Sequence, residues 1–105
     1  MSAELFTLTT LYGHIANDSR VNVWHISLYA CLLILWVEND FGSQIKITRK
    51  NLMAKAHFRS ITTYHKCIHQ LVELGYITYS PTYDSYQGTT ITILIPAELL
   101  QPVAL

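Results

Sequence analysis

The sequence predicts a mainly α-helical domain that closes on a small β-hairpin wing. Apolar residues recur at helical spacing in successive stretches up to Leu74, Gly75 stops the last of them, and two alternating runs, YITYS and TTITILI, bracket the loop PTYDSYQG. An N-terminal helix followed by helix, short strand, helix, tight turn, longer helix and hairpin is the element order of a winged helix-turn-helix preceded by an extra helix. With 105 residues the chain makes one domain, 1–105, able to bury a core but too short to divide.

Leu5, Leu8, Leu11, Tyr12 and Ile15 fall at helical spacing across Ala3 to Ala16, and the polar run NDS ends that helix. A second helix is expected from Trp24 to Glu38. It is apolar nearly all round, with Leu28, Cys31, Leu32, Leu35 and Trp36 on one side and Tyr29, Leu33, Ile34 and Val37 around the rest. Such a helix has to be covered on more than one face. The stretch Val21 to Val37 carries no charge, which calls for a membrane check. At about 1.5 Å per residue it is about 26 Å long, short of a bilayer core of roughly 30 Å. It also contains Asn22, His25 and Ser27, so a buried helix is expected and no membrane partner.

After NDFG, the run QIKI alternates as an edge strand does, and Thr48 is placed to cap RKNLMAKA, whose Leu52, Met53 and Ala56 would face the core. HFRS is a tight connection in which Phe58 plugs the core and Ser60 caps the next helix, expected over about 60–74. At about 100° per residue, Ile61, Tyr64, Cys67, Ile68, Leu71, Val72 and Leu74 occupy one arc. Thr62, Thr63, His65, Lys66, His69, Gln70 and Glu73 occupy the other, and the two sets do not interleave. Gly75 suits the left-handed position after the helix. The wing is expected over about 76–95.

Charge is unevenly placed along a chain whose formal net charge is zero. Lys46, Arg49, Lys50, Lys55, Arg59 and Lys66 fall between Phe41 and Val72, where there is no Asp or Glu. A neutral protein can therefore own a basic face, the electrostatic footprint of a phosphate-binding surface. Cys31 and Cys67 lack CxxC spacing and sit among apolar residues, as reduced cysteines do in a cytoplasmic protein. No basic run precedes an apolar one near Met1, so no signal peptide is expected.

HISLYACLLILWVENDF, TTYHKCIHQLVELGYI and YSPTYDSYQGTTITI together resemble short winged helix-turn-helix regulators of Bacteroidetes, often encoded near mobile elements. The resemblance runs from about Leu11 to Leu94 and is most specific at TYHKCI and LGYI. It implies DNA binding, as a transcriptional regulator or a mobile-element accessory factor. The chain departs from the family beside the wing glycine, where relatives carry a lysine and this sequence has Gln87 before Gly88.

In this motif the helix enters the major groove, about 12 Å wide, and its amino-terminal half approaches the base edges. Thr62, Thr63 and Lys66 lie there, and His69 and Gln70 extend the same arc; glutamine suits adenine and lysine suits guanine. Phosphate contacts are expected from Arg49, Lys50, Lys55 and Arg59, from Ser60 with the first free N–H groups of the helix, and from His65. In the wing, Tyr83, Tyr86 and Gln87 reach outward beside Asp84. The expected partners are double-stranded DNA and a second copy of the chain. The copy would be met through the apolar helix 24–38 and the N- or C-terminal segments, the tail ITILIPAELLQPVAL included.

Other chemistry ranks lower. His65 and His69 are four apart on one helical face, a spacing that binds metals, but a matched third ligand is missing. His14 and Asp18 share a face without a positioned nucleophile, and no glycine-rich phosphate loop occurs. No enzyme activity, metal or cofactor is expected. The alternative is a winged-helix protein-interaction module without DNA contact, which the zero net charge and the lysine-free wing favour.

Overall fold

The computed structural model describes residues 3–80 and 88–95. Within them the order is α1 (Ala3–Ala16), α2 (Val23–Glu38), β1 (Ile45–Ile47), α3 (Arg49–Ala56), α4 (Ile61–Glu73), β2 (Ile77–Ser80) and β3 (Thr89–Ile93). The domain is mainly helical with a small β wing: α3 and α4 form the helix-turn-helix, α1 precedes it, and β2 and β3 are the strands of the hairpin. The wing residues Tyr83, Tyr86 and Gln87 lie outside the described residues. Among the described residues no helix is long and apolar enough to cross a membrane.

α2 starts one residue earlier than the sequence suggests, and the reason is its cap. The Asn22 side chain accepts from the backbone N–H groups of Trp24 (2.9 Å) and His25 (3.3 Å), while His25 Nδ1 accepts from the Asn22 N–H at 3.0 Å. This is a capping box with histidine where glutamate or glutamine is usual. Along α2, His25, Leu28, Tyr29, Leu32, Leu33 and Trp36 are buried. Cys31, expected among the core residues, is only half-buried, as is Leu35, and Ile34 and Val37 are exposed. The neighbouring helices and the sheet cover most of the helix and leave one apolar ridge bare.

Thr48 caps α3, its side-chain oxygen accepting from the Asn51 N–H at 3.2 Å, and Leu52, Met53 and Ala56 point inward. The turn after α3 puts His57 in the left-handed region (φ 63°), with His57 N–H donating to the Ala54 carbonyl and Phe58 N–H to that of Met53. That pattern is a Schellman motif, and it normally selects glycine. Phe58 is buried, its ring 5.2 Å from Trp24 and 6.0 Å from Tyr64. Ser27 Oγ donates to the Ala56 carbonyl at 3.0 Å, satisfying a helix-end acceptor and tying α2 to α3.

The strands form one antiparallel sheet in the order β1-β3-β2, so β1 is indeed an edge. Ile45 pairs with Ile91, and Ile77 with Ile93. The alternation of β1 buries Ile45 and Ile47 and leaves Lys46 outside. Gly88 has φ +72°, and a Cβ on it would collide with the Ile47 carbonyl oxygen, so only glycine lets the chain return from the wing this close to β1.

Candidate nucleic-acid interface

α4 is fixed at both ends by local chemistry. Ser60 Oγ accepts from the Thr63 N–H at 3.2 Å. At the other end Gly75 N–H reaches the Val72 carbonyl and Tyr76 N–H that of Leu71, with Gly75 at φ +86°, a second Schellman stop. Between these, Tyr64, Cys67, Ile68 and Leu71 are buried, which turns the opposite line of the helix to solvent. Thr62, Lys66, His69 and Glu73 occupy that line and are all exposed.

The margins of the helix depart from the sequence expectation. Ile61 and Val72, assigned to the apolar arc, are 49% and 38% exposed. Thr63, His65 and Gln70, assigned to the polar arc, are half-buried. Gln70 is the substantive correction. Its Oε1 lies 2.6 Å from Nε2 of buried His25. Because His25 Nδ1 accepts from the Asn22 N–H, the hydrogen-bond pattern assigns the ring proton to Nε2, which donates to Gln70. The Gln70 carbonyl is thus committed to docking α4 on α2, and the residue is removed from the set facing a base. His65 is held beside Tyr64, ring centroids 5.3 Å apart, at the edge of the stripe.

The cations do not form a single patch. Arg49 sits on the flank of α3 nearest α4, its guanidinium 3.6 Å from Met53 Sδ and close enough to Tyr64 to act on its phenol, and Lys50 follows it on the outer surface. Burial outweighs that influence and pushes the Tyr64 hydroxyl up to about 12. Arg59 and Ser60 are exposed at the head of α4. Lys55 is on the other flank of α3. With Lys46, Thr48, Asn51 and Leu35 it lines a separate cleft of about 440 Å³ between α2, β1 and α3. Lys55 therefore lines this cleft, away from the Arg49 flank, whereas the sequence groups it with Arg49, Lys50 and Arg59 as a phosphate contact. The run of basic residues in the chain is split by the helix that carries it.

Among the described residues, the ion pair is Asp18 with Arg20; Arg49, Lys50, Arg59 and Lys66 have no carboxylate within 4.0 Å. The periodicity missed one neighbour of the stripe: Tyr79 of β2, half-buried, has its ring 6.2 Å from that of His69. Among the described residues no group of three metal-binding side chains forms around His65 and His69. Cys67 is a buried free thiol, and burial raises its pKa.

No protein-family model, curated protein or solved structure matches the chain. The site therefore has to be read from its own geometry.

Proposed function

We propose that this protein binds double-stranded DNA through α4, as a regulator of transcription or an accessory factor of a mobile element. One observation carries the reading: the line Thr62, Lys66, His69 is bare, Arg59 stands at its head, Arg49 and Lys50 flank it, and none of these cations is neutralised by a carboxylate among the described residues. A helix of this width enters the major groove, where Thr62 and Lys66 meet base edges first. Arg59, Arg49 and Lys50 lie where side chains grip the phosphate backbone, and the Ser60 hydroxyl serves mainly as the cap. Glu73 closes the line at its far end, so the contact is expected over the first two to three turns.

Fluorescence anisotropy against a random-sequence duplex over a range of salt concentrations tests this. If three or four of the cations are neutralised, log affinity falls against log salt with a slope of roughly −2.7 to −3.6. Lys66→Ala and Arg59→Ala are each expected to weaken binding and to flatten the slope by about one unit. Unchanged affinity in both variants, without salt dependence, would refute the proposal. The second reading, a protein-interaction module, draws on the exposed Ile61 and Val72 beside the stripe. It is favoured if Ile61→Ala abolishes capture of a protein partner while the wild-type chain binds no duplex.

A further inference from the structure

We propose that the open edge of β1 binds an extended acidic peptide, which joins the three-stranded sheet as a fourth strand. The backbone itself shows which residue of β1 is open. A Cβ on Gly88 would strike the Ile47 carbonyl oxygen, so Ile47 turns its backbone groups toward β3. Leu94, next after β3, donates its N–H to the Tyr76 carbonyl at 3.0 Å. Its alternates Thr92 and Thr90 therefore face β2, while Ile91 and Thr89 face β1 and pair with Ile45 and Ile47. Lys46, between those two, points its N–H and C=O away from the sheet.

The outward carbonyls on either side of Lys46 are satisfied. That of Gln44 accepts from Asn39 Nδ2 at 2.8 Å, and that of Thr48 from the Leu52 N–H at 3.0 Å. The Lys46 N–H and C=O have no partner among the described residues. They open between two clefts that share Leu35 and Lys46. One is the cleft of about 440 Å³ beside α3, and the other, about 350 Å³, is bordered by Glu38, Asn39, Gln44 and Ile45. A trough thus runs along the strand edge with an unpaired donor and acceptor at its middle. Such an edge is a template for another chain.

That donor and acceptor select the occupant. One residue of an extended peptide carries a C=O and an N–H on the same side and closes both bonds at once. A phosphodiester offers acceptors alone and leaves the Lys46 carbonyl unmet. A second copy pairing edge to edge at this residue sets Lys46 against its own like charge, which is destabilising. Charge gives the sign of the peptide. Neither Lys46 nor Lys55 has a carboxylate within 4.0 Å among the described residues, and both line the wider cleft. A peptide residue opposite Lys46 shares its face of the sheet, so a carboxylate fits there, and the residues beside it turn to the face of Ile45 and Ile47, where aliphatic side chains fit. Glu38 borders the far cleft and directs the acidic residues toward the α3 end. The site is apart from α4 and does not rest on the DNA reading.

Titration of the ¹⁵N-labelled full chain to millimolar concentration with a blocked hexapeptide alternating glutamate and valine tests the proposal. Saturable amide shifts are expected at Lys46, Ile47, Asn51 and Lys55, and none with the same peptide N-methylated at its glutamates. Lys46→Pro removes the outward N–H without touching the ladder to β3, a replacement edge strands tolerate. Its dissociation constant is expected at least about fivefold above that of Lys46→Ala, which loses the charge alone. Lys55→Ala should weaken binding as well. No shift with the glutamate peptide overturns the proposal, as does equal binding of the N-methylated peptide or equal affinity in Lys46→Pro and Lys46→Ala. Shifts at Lys46 and Lys55 with a DNA duplex and not with the peptide assign the trough to nucleic acid, and overturn it too.

Discussion

On one side of α2, the docked α4 turns Thr62, Lys66 and His69 to solvent; on the other, α1 and α2 turn out Tyr12, Ile34 and Val37. The first surface has cations at its head and flank, and among the described residues no charged side chain lines the groove of the second. Formal neutrality is the average of these unlike surfaces and of the acids elsewhere, so it describes neither. α2 separates them, and what fastens each neighbour to α2 differs. α4 is held by a part-buried hydrogen bond and a ladder of rings from Trp24 through Phe58 to Tyr64, α1 by aliphatic packing around Leu11 and Ile15.

That difference is open to attack, most severely at His25. Replacing it with alanine empties a buried site and strips partners from both the Asn22 N–H and the Gln70 carbonyl. A loss of about 2–4 kcal/mol in stability is expected from urea unfolding. DNA affinity should fall with the seating of α4. A loss below about 1 kcal/mol would show that the rings alone hold α4.

A smaller effect of opposite sign is expected at Tyr29, a fully buried residue of α2 packed against Tyr76. Its hydroxyl is buried without a partner among the described residues, and burial drives its pKa far upward. Tyr29→Phe removes an unsatisfied polar group and is expected to stabilise by about 1 kcal/mol, leaving DNA binding unchanged. Destabilisation in a thermal melt would mean that the hydroxyl has a partner the account omits.

The smallest effect belongs to the connection between α1 and α2. The Asp18 carboxylate accepts from the Arg20 backbone N–H and guanidinium at 2.7–2.9 Å and from the Tyr76 hydroxyl at 2.6 Å. These bonds, the Arg20 side chain's first, hold its pKa well below the usual carboxylate range. Burial and the bond to Asp18 push the Tyr76 phenol up to about 12. A depressed carboxyl pKa contributes stability that is complete above about pH 4 and is lost as the pH falls toward the folded-state value. Asp18→Asn is expected to flatten that acid limb, modestly, because Arg20, the cation of the pair, is exposed and screened while the Asp18 carboxylate itself is largely covered. An acid limb identical in the variant would assign it to other carboxylates.

Much of the fold is legible in the residues. The bounds of α1 and α3, the caps Thr48 and Ser60, the stop at Gly75 and the edge position of β1 all follow from local rules that need no knowledge of neighbours. What the sequence concealed depends on neighbours. Helical angle places Gln70 on a polar arc, but only the approach of α2 reveals that His25 waits beside it. A run of basic residues along the chain says nothing about which flank of α3 each one takes, so the sequence groups Lys55 with Arg59 although Lys55 lines the cleft beside Lys46. The all-apolar character of α2 requires several cover elements without saying which face they leave bare. His25 in a capping box is hidden for a chemical reason, since the pattern is recognised by glutamate or glutamine at that position.

Titrating ¹⁵N-labelled protein with a short duplex and following amide chemical shifts compares the two sides of α2 in one experiment. The expected result is progressive shifts at Arg59, Thr62, Lys66 and His69, reduced by added salt, while Leu8, Ala30 and Ile34 stay in place. Shifts confined to the α1 and α2 face, or none anywhere on α4, would contradict the account.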